Sequence, residues 1–157
     1  MTGGAMSRGE MMLADAAATR AAGARLAPLL RAGDVVAIEG TLGAGKTTFA
    51  RGLLAALGLE EEAPSPSFAI VIAYAPPEVR LPLWHVDLYR IEDARETAEL
   101  GLDDALVDGA LLVEWPERLA PHLLRDALRL RLEATAGDAR RLTWEAPAPW
   151  EARWPPR

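Results

Sequence analysis

The segment EGTLGAGKTTFARG, residues 39–52, contains Lys46, the only lysine in a chain of 157 residues. Lysine and arginine together number 17, so the other sixteen basic residues are all arginines. Gly40, Gly45, Lys46 and Thr47 match G-x-x-x-x-G-K-[ST], the P-loop pattern. This pattern predicts a tight turn that binds phosphate groups between a strand and a helix.

Each position of the pattern has a physical reason. Phosphate oxygens must meet several backbone N–H groups at once, and glycines let the loop fold around the anion without side chains in the way. The next helix adds its free N–H groups and the positive end of its dipole. We expect Lys46 to reach between the β- and γ-phosphates, where a planar guanidinium would fit less well. Thr47 offers a hydroxyl to Mg²⁺.

The flanking sequence has the alternation of elements that a P-loop requires. The apolar run DVVAIEG (34–40) predicts a buried strand, and TTFARGLLAALG (47–58) predicts a helix that ends at a glycine. Upstream, residues 13–33 predict a helix that Pro28 kinks or breaks. Downstream, strands are predicted in 68–74, 80–91 and 109–116, the first two as a hairpin. A helix broken at Gly101 is predicted in 92–106, and a second hairpin in 128–146. The sequence therefore predicts a mixed α/β protein with an antiparallel C-terminal end.

Composition limits the classes of protein to consider. The length predicts one domain, residues 13–146, between flexible termini, residues 1–12 and 147–157. The absence of cysteine excludes disulfides and thiolate metal sites and fits a reducing cytosol. A net charge of -6 without a basic run disfavours direct binding to nucleic acid by this chain alone. No segment has the pattern of a transmembrane helix, so we expect a cytoplasmic protein without membrane association.

The nucleotide and the metal site follow from further motifs. Guanine recognition through N/T-K-x-D needs a second lysine, and no aspartate has D-x-x-G spacing, so ATP is the expected nucleotide. Asp87 and Glu114 end apolar runs, at the edge where α/β proteins bind ligands, and either could serve Mg²⁺. Alternatively, each faces solvent or pairs with Arg90 or Arg118. His85 is expected to be a strand residue rather than a ligand.

Four segments, in this order and spacing, resemble the TsaE family, also called YjeE: GTLGAGKTTFARGLLAALG, SPSF, HVDLYRI and LLVEWPERL. The resemblance covers residues 14–145. It implies a P-loop NTPase-like three-layer fold with a mixed sheet and a weak, partner-dependent ATPase activity in the bacterial cytoplasm. It also implies action with TsaD and TsaB in the threonylcarbamoylation of adenosine 37 in tRNAs, with the tRNA contacted only indirectly, through the complex.

The resemblance also implies roles for individual residues. Lys46, Asp87 and Ser67 would be catalytic, Asp87 as a Walker-B-like acid and Ser67 as the hydroxyl of a switch loop. Mg²⁺ would be held by Thr47 and Glu114. Nucleotide contacts would come from Thr19, Gly43, Ala44, Gly45, Lys46, Thr47, Thr48, Trp115 and a C-terminal arginine, Arg140 or Arg141. Two positions depart from the family pattern: Thr41 replaces an acid, and Ser67 replaces threonine.

Two other functions stay open at this point. A stand-alone small-molecule kinase would need a lid with arginines, and residues 92–100 contain Arg95 but no clear lid glycines. A nucleotide-binding regulator without turnover would share the same phosphate loop.

Overall fold

The computed structural model describes residues 6–41, 43–66 and 70–156. Within these ranges, seven strands form one mixed sheet in the order β1-β7-β6-β2-β5-β4-β3. Strands β6, β2, β5 and β4 run parallel, whereas β3 is antiparallel to β4, and β7 is antiparallel to both β6 and β1. The strands are β1 (Ser7–Leu13), β2 (Val35–Glu39), β3 (Val71–Tyr74), β4 (Leu83–Asp87), β5 (Ala110–Glu114), β6 (Leu128–Ala134) and β7 (Arg140–Ala146).

Six α-helices occur in the described residues, and the two longest precede and follow β2. They are α1 (Ala16–Leu26), α2 (Lys46–Leu57), α3 (Ala94–Ala98), α4 (Leu102–Ala105), α5 (Pro121–Leu124) and α6 (Ala148–Glu151). The Asp15 side chain accepts a hydrogen bond from the Ala18 N–H and caps α1. The helix ends at Leu26, and residues 27–29 form a 3₁₀ turn that contains Pro28. The predicted break at this proline is therefore confirmed.

Two apolar cores lie on opposite faces of the sheet, which gives three layers. The alternation of side chains along β2 separates them: Val36 and Ile38 join a core with Phe49 and Leu53 of α2. Val35 and Ala37 join the second core, to which α4 and α5 contribute Leu102 and Leu123. The predicted three-layer α/β fold with a mixed sheet is thus confirmed, and so are both predicted hairpins.

Helices α1 and α2 cross in close contact through two glycines. A Cβ at Gly23 would lie 2.0 Å from the Phe49 carbonyl oxygen, and a Cβ at Gly52 would lie 1.9 Å from the Arg20 carbonyl oxygen. Side chains of any size would therefore separate the helices. The crossing fixes the position of α2, the helix that begins at Lys46.

Within the described residues, both ends of the chain pack on the domain, whereas the sequence predicted flexible termini. Residues 7–13 form the edge strand β1, paired along its length with β7. Near the other end, Trp150 and Trp154 are buried, and the Arg153 guanidinium donates two hydrogen bonds to the Asp34 carboxylate. The proline-rich composition suggested a tail, but the tryptophans supply enough apolar surface to hold it on the domain.

Within the described ranges, no helix combines the length and the apolar character needed to cross a membrane.

Candidate functional site

The parallel strands bring three chemically important segments to one edge of the sheet. β2 ends at Glu39 and leads into the glycine turn, while β4 and β5 end at Asp87 and Glu114. These two acids are direct partners in the β4–β5 register. The carboxyl edge of a parallel sheet is where α/β proteins bind ligands.

The P-loop has a backbone that only glycine adopts easily. Gly43 and Gly45 have φ angles of 78° and 106°, in the left-handed region. At Gly40, where φ is 155°, a Cβ would lie 2.7 Å from the Leu132 carbonyl oxygen. The glycines therefore permit both the turn and its close approach to strand β6.

Lys46 is buried, with only 6% of its surface exposed. Its Nζ donates a hydrogen bond of 2.7 Å to the Gly40 carbonyl oxygen, which closes the loop on itself. The same Nζ lies 4.4 Å from the centre of the Trp115 ring and 4.0 Å from Glu114 Oε1. The ammonium is thus placed inside the loop by a carbonyl, an aromatic face and a carboxylate.

Asp87 and Glu114 are buried, 7% and 4% exposed, which excludes the alternative of strand-end acids that face solvent. Burial raises the pKa of the Asp87 carboxyl, and the neighbouring Glu114 carboxylate raises it further. The hydrogen bond from the Tyr89 N–H, the Lys46 ammonium and the neighbouring His85 ring all lower this pKa, but they only partly offset the effect of burial. Two carboxylates side by side are a suitable oxygen donor set for a divalent cation.

His85 lies in β4, as expected, but it also contacts the site. Its Nε2 is 2.7 Å from Glu114 Oε2, and the side chain is 1% exposed. This contact was not predicted from the sequence. The period of two along a strand predicts that His85 shares a face of β4 with Asp87, but the β4–β5 pairing that brings Glu114 to this face is not a local sequence pattern.

A cavity of about 240 Å³ gathers most of the predicted site residues. Its lining consists of Gly43, Gly45, Lys46, Thr47, Thr48, Ser65, Asp87, Glu114, Trp115 and Arg140. A larger cavity of about 550 Å³ adjoins it at Trp115 and includes Gly40, Thr41 and the end of β6. The smaller cavity contains the lysine, the hydroxyls and both acids, so it is the better candidate for the chemical centre.

Arg140 and Thr19 are near the loop, but their polar groups are turned toward protein atoms. The Arg140 guanidinium donates to the carbonyl oxygens of Ala44 and Gly43, at 3.0 and 3.1 Å. The buried Thr19 hydroxyl donates to the Asp15 carbonyl oxygen at 3.4 Å, and its methyl group faces Gly45. Arg140 thus positions the loop, and the nucleotide contacts expected of both residues stay predictions.

Trp115 follows Glu114 in a left-handed backbone conformation, with a φ of 57°. This conformation turns the chain at the end of β5 and lays the ring over Lys46. Tyr89 packs on the ring, with the two ring centres 4.8 Å apart, and is 57% exposed. Trp115 therefore lies beside the phosphate loop, and its expected contact with the nucleotide stays a prediction.

The donor set fits Mg²⁺ bound jointly with phosphates. Thr47, Asp87 and Glu114 supply oxygen atoms around one cavity. Over the parts of the chain that the structure describes, no group of three His, Asp or Glu residues forms a complete cage. An ion here would need oxygens from its ligand, as in other phosphate-binding loops. Ser67 lies outside the described residues, so its role as a switch hydroxyl stays a prediction.

Comparison with known proteins is consistent with this geometry. The family model described as "Threonylcarbamoyl adenosine biosynthesis protein TsaE" matches residues 13–142. A tRNA threonylcarbamoyladenosine biosynthesis protein TsaE from Streptomyces coelicolor is 45% identical over 120 residues, which cover 76% of this chain and 81% of that protein. A Bacillus subtilis protein of the same name is 38% identical over 129 residues, covering 82% and 79% of the two chains.

The fold agrees with the same relationship. The crystal structure of Bacillus subtilis YdiB matches with a TM-score of 0.71 at 30% identity, covering 90% of this chain and 87% of that one. The family match spans the phosphate loop and both buried acids and extends into the last strand. The chain therefore belongs to the TsaE family.

Proposed function

We propose that this protein binds ATP with Mg²⁺ and hydrolyses it slowly in support of threonylcarbamoyladenosine formation in tRNA. One observation carries the proposal: the buried Lys46 ammonium lies within the glycine loop, beside the buried Glu114 carboxylate. A cation and an acid in this arrangement suit a phosphate chain and its metal ion. The names of the relatives from Streptomyces coelicolor and Bacillus subtilis support the pathway.

The residues of the loop would divide the work of binding. The backbone N–H groups after Gly43 and at the start of α2 would donate to phosphate oxygens. Lys46 would exchange the Gly40 carbonyl for a phosphate oxygen, since its Nζ is already within the loop. Arg140 would keep the carbonyls of Gly43 and Ala44 directed away from the ligand by donating hydrogen bonds to both carbonyl oxygens.

Thr47 and Glu114 would hold Mg²⁺, which when bound offsets the charge that develops on the phosphates. Asp87 would orient the attacking water, because its carboxylate adjoins Glu114 at the edge of the same cavity. We include Ser67 as the hydroxyl that senses the terminal phosphate. We assign turnover to a complex with TsaD and TsaB, with those partners contacting the tRNA in the cytoplasm.

Phosphate release from ATP, measured with and without purified TsaB and TsaD, tests this function. We expect slow release by the protein alone and faster release with the partners, in both cases dependent on Mg²⁺. Fast phosphoryl transfer to a metabolite would support a kinase instead. Binding of ATP without any release would support a regulator. Absence of ATP binding would contradict all three.

A further inference from the structure

Glu114 has two different neighbours for its two carboxylate oxygens. Oε2 lies 2.7 Å from His85 Nε2, within hydrogen-bond distance. Oε1 lies 4.0 Å from Lys46 Nζ, beyond that distance. A buried acid close to a buried ammonium would be expected to form a direct pair. Here the imidazole holds the carboxylate, and the ammonium donates to Gly40.

The hydrogen bonding of the His85 ring identifies where its proton lies. An ionised carboxylate only accepts hydrogen bonds, so Nε2 carries the hydrogen that Glu114 accepts. Nδ1 is buried and has no hydrogen-bond partner among the residues that the structure describes. The ring thus offers one donor, directed at Glu114.

We propose that His85 is a positioning residue for metal binding: it fixes Glu114 so that one oxygen faces the phosphate loop and Lys46 remains available for phosphate. The inference rests on the proposed function and goes beyond it in assigning a role to a residue that does not line the cavity. Groups that orient metal ligands in this way affect metal affinity strongly, although they never touch the ion.

The alternative is a purely structural role for His85 in the sheet. Loss of the imidazole would then lower stability without a specific effect on the metal. If His85 positions Glu114, loss of the imidazole has a second effect. Without this hydrogen bond, the Glu114 carboxylate would be free to approach Lys46. Such a pair would withdraw the carboxylate from the ion and the ammonium from the nucleotide together. Metal affinity therefore distinguishes the two roles.

We would measure Mn²⁺ binding by electron paramagnetic resonance in the presence of a non-hydrolysable ATP analogue. His85→Leu has a similar volume but no donor, and we expect it to weaken Mn²⁺ binding by about 10- to 100-fold. His85→Gln places an amide N–H near the position of Nε2 and is expected to restore most of the affinity. Val86→Ala is the matched control, because Val86 is buried in the core on the opposite face of β4.

A double-mutant cycle completes the test. In a Glu114→Gln background, His85→Leu should weaken Mn²⁺ binding no further, because the group it positions is already lost. Unchanged Mn²⁺ affinity in His85→Leu, or equal losses in His85→Leu and Val86→Ala, would overturn the inference while leaving the proposed function intact. A wild-type protein that binds neither the analogue nor Mn²⁺ would overturn the proposed function, and the inference with it.

Discussion

Lys46 combines three contacts that no arginine can reproduce in the same space. Its Nζ approaches a carbonyl, an aromatic ring and a carboxylate, all on the inside of a turn of three glycines. The compact ammonium on a thin stem fits between them, whereas a guanidinium is wide, planar and rigid. This geometry explains why a chain that otherwise uses arginine has a lysine here.

Lys46→Arg tests the argument about size. The charge is kept, but the guanidinium must fit between Gly40 and the Trp115 ring, so we expect ATP affinity to fall by at least about tenfold, or ~1.4 kcal/mol. Titration with ATP and a circular dichroism spectrum would separate lost binding from lost fold. Arg51→Lys, the reverse exchange at a residue outside the cavity, is the control. Wild-type affinity in Lys46→Arg would contradict the argument.

The burial of the ionised Asp87 carboxylate lowers the free energy of unfolding. Its pKa is raised above the ordinary value of 3.8, so the folded state binds the proton more tightly than the unfolded state. Stability therefore falls as the pH rises from 3.8 through the raised pKa, and the cost is fully present above it. A buried acid retained at this cost is consistent with a functional role.

Asp87→Asn should therefore stabilise the protein at neutral pH by roughly 0.5–2 kcal/mol, while Mg²⁺-dependent hydrolysis decreases. Asparagine keeps an oxygen for the Tyr89 N–H and removes the charge. Urea unfolding at pH 7 and below pH 3.8 measures the effect, and the gain should disappear at the lower pH. A gain of the same size at both pH values would show that titration of Asp87 is not its cause.

At the scale of elements, Arg140 links the β6–β7 hairpin to the phosphate loop. Its guanidinium donates to Gly137 and Ala139 in the hairpin, at 3.0 and 2.9 Å, and to two carbonyls of the loop. The several N–H groups of one guanidinium can donate to the hairpin and to the loop at once, whereas a lysine ammonium cannot reach both. The hairpin thus supports the loop from strands that are distant in sequence.

Arg140→Lys distinguishes this support from a direct contact with phosphate. If the guanidinium positions the loop, lysine should weaken ATP binding about as much as glutamine does, roughly tenfold for each, or ~1.4 kcal/mol. If its charge contacts phosphate, Arg140→Lys should retain most of the affinity that Arg140→Gln loses. Arg141→Lys is the control, since Arg141 is exposed and lies 3.8 Å from Glu10 on the neighbouring strand.

The contact between α1 and α2 reverses the usual effect of a helix glycine. Replacing an interior glycine by alanine normally stabilises a helix by about 0.5–1 kcal/mol. At Gly52 the new Cβ would meet the Arg20 backbone at 1.9 Å, so we expect a net loss of about 1–3 kcal/mol. Urea unfolding measures it. Ala21→Gly, at an exposed position of α1, should lower the free energy of unfolding by about 1 kcal/mol, through the lower helix propensity of glycine alone. Stabilisation by Gly52→Ala would contradict the described helix crossing.

At the scale of the whole molecule, the sequence predicted what depends on local patterns. The P-loop, its two flanking elements, both hairpins and the break at Pro28 follow from spacing and turn residues. The His85 contact depends on the pairing of β4 with β5, which joins residues 29 positions apart. Strand β1 contains Gly9, a weak strand former, which fits because its missing side chain makes room for Trp144.

The C-terminal segment was missed because its stabilising partners are far away in the chain. Arg153 donates to both oxygens of Asp34, at 2.8 and 3.0 Å, and lies over the Trp150 ring at 4.0 Å. Trp154 meets Trp144 edge-to-face, with the ring centres 5.9 Å apart. Proline-rich composition describes local chain preferences only, and these contacts override them.

A chain that ends at Ala146 tests whether this segment is part of the folded domain. Burial of a tryptophan is worth about 3–5 kcal/mol by truncation to alanine. Loss of one member of a part-buried, hydrogen-bonded ion pair adds about 1–3 kcal/mol. Trp150, Trp154 and Arg153 would all be removed, and their sum approaches the roughly 5–15 kcal/mol that keeps a whole domain folded.

We therefore expect the truncated chain to be largely unfolded by circular dichroism and to lose nucleotide binding, although no residue of the phosphate loop is changed. The milder Arg153→Met should lower the free energy of unfolding by about 1–3 kcal/mol, because the part-buried Asp34 carboxylate would lose both hydrogen bonds from its cation. Val107→Ala, at a side chain 81% exposed, should change it by less than about 0.5 kcal/mol. A truncated chain with wild-type stability would restore the interpretation of residues 147–157 as a flexible tail.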